Sequence, residues 1–147
     1  MRSALLPAVA TALLVIGAAP LAAGEAKEEI IEREWFLISF QTAGASEPRA
    51  VPPLFSMNID RDGASGGYSV CNEWRGEAEF RDNDRLRFRE MREPRALCRT
   101  DDPMVATVER RYTPRLAQME LRYHMDGDIL VVEFNDGETW TFEALNE

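Results

Sequence analysis

The chain has 147 residues, with 17 Lys and Arg against 26 Asp and Glu and a net charge of −9 at pH 7. That length suits one domain with a modest core. The acidic balance argues against nucleic acid and anionic lipid as partners, since both reward basic surfaces, and describes instead a solvated, self-repelling surface.

The first feature along the chain is an apolar run. Arg2 is the sole charge before Glu25, and Leu13, Leu14, Val15 and Ile16 lie at the centre of the stretch from Ala4 to Ala23. A positive tip, an apolar core and a small-residue exit at Leu21-Ala22-Ala23-Gly24 make a secretory signal peptide. Residues 1–23 are expected to be removed after Ala23, with Ala26 as the alternative cut. An uncleaved anchor needs about 20 apolar residues, which the run supplies, but Pro7, Gly17 and Pro20 favour cleavage. No cysteine lies near the exit for lipid attachment, and no second long apolar run follows. The expected location is therefore exported, periplasmic or secreted, with no stable membrane span after cleavage.

Residues 24–33 are rich in Glu and Lys and read as a charged lead-in to a domain over 34–147. Trp35-Phe36-Leu37-Ile38-Ser39-Phe40 is a strand by its aromatic and branched content. A loop with Gly44, Pro48, Pro52 and Pro53 follows. Phe55, Met57 and Ile59 alternate with polar neighbours as a half-buried strand, and Asp62-Gly63 marks a turn. Tyr68 and Val70 mark the next strand, which Gly76 interrupts, and Leu86 and Phe88 alternate with Arg85, Arg87 and Arg89 in a further one.

One helix breaks the series. Asp102 is placed to cap it and Pro103 suits its first position. Met104, Val105, Val108 and Tyr112 then recur at helical spacing, and Pro114 is expected to end it. Met119, Leu121, Tyr123 and Met125 next alternate with polar residues. The Asp126-Gly127 and Asp136-Gly137 steps separate this run from Ile129–Phe134 and from Thr139–Phe142, which predicts a C-terminal β-meander.

Cys71 and Cys98 are the only two cysteines. In an exported chain they are expected to pair, with loop-closure stabilisation of about 3.5 kcal/mol. The competing reading is a reactive thiol at Cys98, flanked by Arg95 and Arg99, whose charges would lower its pKa.

Around these cysteines the chain resembles the META domain, the family of the HslJ heat-shock proteins. That family's early tryptophan is matched by Trp35, and its glycine-, cysteine- and asparagine-containing second run by Gly67, Cys71, Asn72 and Gly76. Its later cysteine run is matched by Cys98, followed by the helix Asp102–Tyr112. Val70 stands where the run has its second glycine and Ala78 where it has a tyrosine, while Pro94, Ala96 and Leu97 replace the Thr, Met and Ala of the third run. The resemblance covers about residues 34–144. It implies a mainly β (α+β) fold: an antiparallel sheet curled toward a small barrel with one packed α-helix. It further implies an envelope role linked to stress or drug tolerance, with no established catalytic site to carry over.

Several constellations admit a functional reading. Asn58-x-Asp60-x-Asp62-Gly63 starts like an EF-hand loop, but position twelve is Ser69, which supplies no bidentate carboxylate. His124 is the only histidine and falls on a polar strand phase; one histidine and two paired cysteines leave too few ligands for zinc and no triad. Arg85, Arg87 and Arg89 project on one face, where they grip an anionic partner or neutralise nearby carboxylates. Trp35, Phe36, Phe40, Trp140 and Phe142 line a ligand cavity or form plain core. Trp74, among Asn72, Glu73, Arg75 and Gly76, reads as an exposed contact residue in a loop.

The expected function is that of a non-enzymatic envelope protein, a monomer without cofactor or metal, that binds or stabilises another envelope component. The alternatives are a secreted protease or lysozyme inhibitor and a lipocalin-like carrier. The carrier reading lacks a glycine two residues before Trp35.

Overall fold

The computed structural model describes residues 23–94, 96–118 and 120–145. Most of the segment read as a signal peptide (residues 1–22), Arg95 beside Cys98, and Met119, expected at the start of the meander, lie outside the described residues.

Among the described residues the strands are β1 (Glu34–Gln41), β2 (Arg49–Ala50), β3 (Ser56–Ile59), β4 (Ala64–Ser69), β5 (Asn72–Arg81), β6 (Arg85–Arg92), β7 (Glu120–Asp126), β8 (Ile129–Glu133) and β9 (Thr139–Ala144). The helices are α1 (Ala23–Ile30), α2 (Pro103–Glu109) and α3 (Tyr112–Gln118). Every neighbouring pair is antiparallel, in the order β1-β3-β4-β5-β6-β7-β8-β9, and β9 returns to β1 with Trp35 opposite Ala144 and Phe40 opposite Trp140. The sheet therefore closes on itself, and β2 continues the β3 side of β1. Register shifts between Leu37 and Ser39 and between Arg75 and Glu77 sharpen the local bend.

Alternation along each strand sends one set of side chains into the ring. Trp35, Leu37, Met57, Ile59, Trp74, Leu86, Leu121, Leu130, Val132 and Phe142 have no exposed surface, and their packing fills the interior. This is how small barrels are usually occupied. Of the aromatic set considered above, Phe36 alone faces outward and is half-buried.

Each end of the ring carries a helical cap. At one end lies α1, whose Ala26 and Ile30 are buried; the Ile30 carbonyl accepts from Trp35 Nε1 at 2.9 Å and Lys27 lies over the Phe80 ring. The charged lead-in over residues 24–33 thus contains most of α1 and the turn that follows it. Ala26 and Ile30, one helical turn apart, give the segment its apolar face. A cut after Ala26 would remove half of α1; a cut after Ala23 spares nearly all of it.

At the other end, α2 and α3 meet at a bend and place Val105, Val108, Tyr112 and Leu116 on the core. Asp102 caps α2, accepting from Met104 N at 2.8 Å and Val105 N at 3.4 Å. Pro114 does not stop the helical path as expected. It sits in the first turn of α3, where its missing N–H is not required. The Tyr112 ring stacks on Trp140 at 5.4 Å, with Phe55 at 5.2 Å.

The meander follows the alternation read from the sequence over β7, β8 and β9, with Gly127 and Gly137 both at positive φ in its turns. The expected break at Gly76 lies elsewhere: β4 and β5 are separated by a two-residue turn at Val70 and Cys71, and β5 runs through Gly76 with a bulge. A Val-Cys pair carries no turn signature, which is why the sequence does not announce it.

Candidate functional site

Of the residues that carried the family resemblance, Cys71, Asn72 and Cys98 gather at the α2–α3 end, whereas Trp35 sits beside α1 and Gly76 lies within β5. Ser69 pairs with Asn72 across the Val70–Cys71 turn, and Val70 has φ +60°. A positive φ at the first central residue of a two-residue hairpin is glycine's place, so the unusual valine keeps the backbone that glycine would give. A β-branched side chain in that conformation is strained, at about 1–3 kcal/mol. Val70→Gly is expected to raise the unfolding free energy by roughly 1 kcal/mol, once glycine's larger unfolded-state entropy is set against the strain. Urea midpoints of the two proteins check this; a lower midpoint would show that Val70 packing outweighs the strain.

Three residues before Val70, Gly67 lies under β3: a Cβ there would come 2.0 Å from the Ser56 carbonyl oxygen. That carbonyl accepts from Trp74 Nε1 at 3.1 Å, and Ser56 Oγ accepts from Tyr68 N at 3.1 Å. Gly67 thus permits a close strand crossing that also holds the buried tryptophan.

Cys71 is disulfide-bonded to Cys98, with Cα atoms 5.7 Å apart. The bond ties the β4–β5 turn to the irregular segment 96–102 that leads into α2. Two further contacts fix that segment. Asn72, itself buried, donates from Nδ2 to the Ala96 carbonyl at 2.8 Å, and Cys71 N donates to Cys98 Sγ at 3.1 Å. Glu93 accepts from Thr113 Oγ1 on α3. Between the pinned Ala96 and Cys98, Leu97 is 97% exposed. A groove of about 380 Å³ beside it is lined by Ala96, Leu97, Cys98, Ala106 and Arg110, among others.

The helical cap is anchored by a buried carboxylate. Glu138 accepts from Trp140 Nε1 at 2.7 Å and pairs with Arg111 at 2.6 Å, while Arg115 lies 3.6 Å away and also binds Asp136. The Arg115 hydrogen bond holds the Asp136 carboxyl below its ordinary range. These contacts explain how the cap stays seated; they bring together no nucleophile and base. The turn residues Asn135–Glu138 gave no sequence signal for this cluster.

Beside it, burial pushes the Tyr112 phenol well above its usual pKa, and the Glu93 charge adds to the shift. Its hydroxyl has no hydrogen-bond partner among the described residues. Removing that group is expected to leave Tyr112→Phe as stable as the parent or up to about 1 kcal/mol more stable at neutral pH. Because the folded pKa exceeds the unfolded one, the tyrosine's share of stability is whole below pH ~10 and is lost as pH rises through the folded value. Thermal melts from pH 8 to 12 should fall less steeply for Tyr112→Phe; identical slopes would refute this.

The other sequence candidates are dispersed. Trp74 is not an exposed loop residue: it faces the core from β5 with no exposed surface, edge-on to Phe88 at 5.8 Å. Glu73 and Arg75 misled because they alternate with it on the outer strand face. Arg85, Arg87 and Arg89 do share the outer face of β6, but among carboxylates. Arg85 binds Glu120 at 2.7 Å, Arg89 lies 3.5 Å from Glu79, and Arg87 stands opposite Glu79 and Glu120 in register.

Asp60 and Asp62 shape the β3–β4 turn, where Asp62 Oδ1 accepts from Ala64 N at 3.1 Å. Among the described residues no three His, Cys, Asp or Glu converge on a metal position. His124 is exposed on β7.

Comparison with known structures places this architecture among several others. An NMR structure of a protein from Burkholderia xenovorans is 20% identical with a TM-score of 0.68, covering 97% of this chain and 100% of that one. A duf4847 family protein from Bacteroides vulgatus is 12% identical with a TM-score of 0.57, covering 82% and 98%. At these identities the likeness is one of fold. No curated protein matches the chain. The META domain family profile, however, matches residues 28–147, from the last turn of α1 through the barrel, the disulfide hairpin and the helical cap; the chain belongs to the META domain family.

Proposed function

We propose that this protein is an exported, non-enzymatic binding module of the cell envelope, one that holds or stabilises another envelope component and contributes to stress tolerance. The observation that supports this reading most is the division between interior and end. The ring is filled by side chains such as Trp35, Trp74 and Phe142, while Ala96–Cys98 is pinned in the open by Asn72 and Cys71. A filled barrel offers its surface rather than a cavity, and a pre-organised loop loses little entropy when it docks. A disulfide at that loop suits an oxidising compartment, and the acidic, mutually paired outer face suits solubility there. Among the described residues the inward side chains are packed together, which counts against the lipocalin-like alternative.

Growth of a deletion strain under heat, oxidant and antibiotic challenge tests the stress role. Impaired growth restored by the wild-type gene is expected. Parental growth under all three challenges would remove the stress role from the proposal.

A further inference from the structure

The segment Ala96–Leu97–Cys98 has a feature that general stickiness does not require: its middle residue is free and both of its neighbours are held. Leu97 is 97% exposed, more than the other exposed large apolar side chains Leu145, Tyr68 and Leu54. Its own backbone enters no hydrogen bond among the described residues. On its amino side the Ala96 carbonyl is bound by the buried Asn72 side chain at 2.8 Å. On its carboxyl side Cys98 is bonded to Cys71, which belongs to a different hairpin.

This arrangement matches what a serine protease asks of a segment that it binds and fails to consume. Such enzymes take an unpaired, extended stretch of chain by backbone pairing and seat one side chain in a specificity pocket. Leucine fits an apolar slot and not an acidic one. We infer that Ala96–Leu97–Cys98 is a substrate-like inhibitory segment for a serine protease with an apolar primary pocket, with Leu97 as the inserted side chain. The inference rests on the reading that this protein works by surface binding, and it names the partner's chemistry.

Resistance to turnover follows from the two tethers. Attack of the enzyme's serine oxygen on the Leu97 carbonyl carbon breaks the bond to the Cys98 nitrogen, which leaves as an amine carrying the proton. The disulfide keeps that amine in place, and Asn72 keeps the acyl side in place. The amine therefore re-attacks the ester carbon, expels the serine oxygen with its proton, and restores the Leu97–Cys98 peptide. Holding both fragments makes this return intramolecular, with the high effective concentration that implies.

The test titrates the purified, oxidised protein against chymotrypsin, subtilisin and trypsin, and reads residual hydrolysis of a small peptide substrate. Competitive inhibition of chymotrypsin and subtilisin is expected, with trypsin unaffected. Leu97→Lys should invert the preference between chymotrypsin and trypsin by about 100-fold or more, because the pocket now meets a charge. Leu97→Asp should abolish inhibition of chymotrypsin and subtilisin and leave trypsin uninhibited. Neither variant should move the thermal midpoint, since Leu97 contributes nothing to the core.

Absence of inhibition of chymotrypsin and subtilisin, rapid cleavage of the protein as an ordinary substrate, or inhibition indifferent to residue 97 would each overturn the inference. Failure here, alongside Leu97-dependent capture of an envelope protein that is not a protease, would sink the inhibitor inference and leave the binding module standing. Inhibition in this assay without any stress phenotype would do the reverse for the stress role.

Discussion

Gly67→Ala is expected to unfold the protein or to lower its stability by at least about 3 kcal/mol. The new Cβ would sit 2.0 Å from the Ser56 carbonyl oxygen, 2.6 Å from its carbon and 2.9 Å from Met57 Cα. These are backbone atoms of a buried strand, so no side chain can swing aside. Gly67 also has φ +155°, a conformation that side-chain-bearing residues rarely adopt. Overpacking and backbone strain each cost about 1–3 kcal/mol, and here they fall on one residue. The shift would spread to Trp74, whose indole depends on the same Ser56 carbonyl. Gly44→Ala is the control: its φ is also positive but nothing lies within 4 Å of its Cβ, so it should cost only about 1 kcal/mol. Equal denaturation midpoints for the two variants would show that the close crossing at Gly67 is not the constraint described.

Removing the disulfide by the paired change Cys71→Ser and Cys98→Ser should cost about 3.5 kcal/mol and lower Tm by about 10–15 °C. The two cysteines are 27 residues apart, and the larger part of the effect is the freedom returned to the unfolded chain. A second effect is local. Without the bond, Ala96–Cys98 keeps only the Asn72 contact, so proteolysis and hydrogen exchange over residues 96–102 should rise more than over the meander. A Tm change under 3 °C would contradict the assigned role of the staple.

The fold was legible wherever a strand has one wet face. The meander shows this best: Leu121 and Tyr123 face in, Arg122 and His124 face out, and the intervening Asp-Gly steps mark both turns. Legibility failed where the backbone departs from its residue's own preference. Val70 occupies a glycine conformation, so the β4–β5 turn passed for continuous strand. Pro114 passed for a terminator because a proline's cost depends on whether it sits in the first turn or the interior of a helix.

Of the site, the cysteine partnership was read from two cysteines in a chain expected to be exported. The placement of Trp74 was not, because a tryptophan among polar residues looks alike in a loop and on the inner face of a strand. The contribution of Asn72 was also hidden: its bond to the Ala96 carbonyl spans 24 residues and depends wholly on how the chain folds back. Leu97 appeared in the sequence only as a departure from the family's third run. Its exposure between two anchors is a property of the assembled end of the barrel, and no local pattern encodes it.

The central claim is that the protein acts by contact, through the pinned segment at the helical end of the barrel. Native capture from envelope extract on immobilised protein tests it most directly, with wild type, Leu97→Asp and Arg87→Ala compared side by side. Arg87 lies on the outer face of β6 between paired carboxylates. The account predicts one partner retained equally by wild type and Arg87→Ala and depleted at least tenfold by Leu97→Asp. Equal retention by all three, or loss with Arg87→Ala alone, would contradict it.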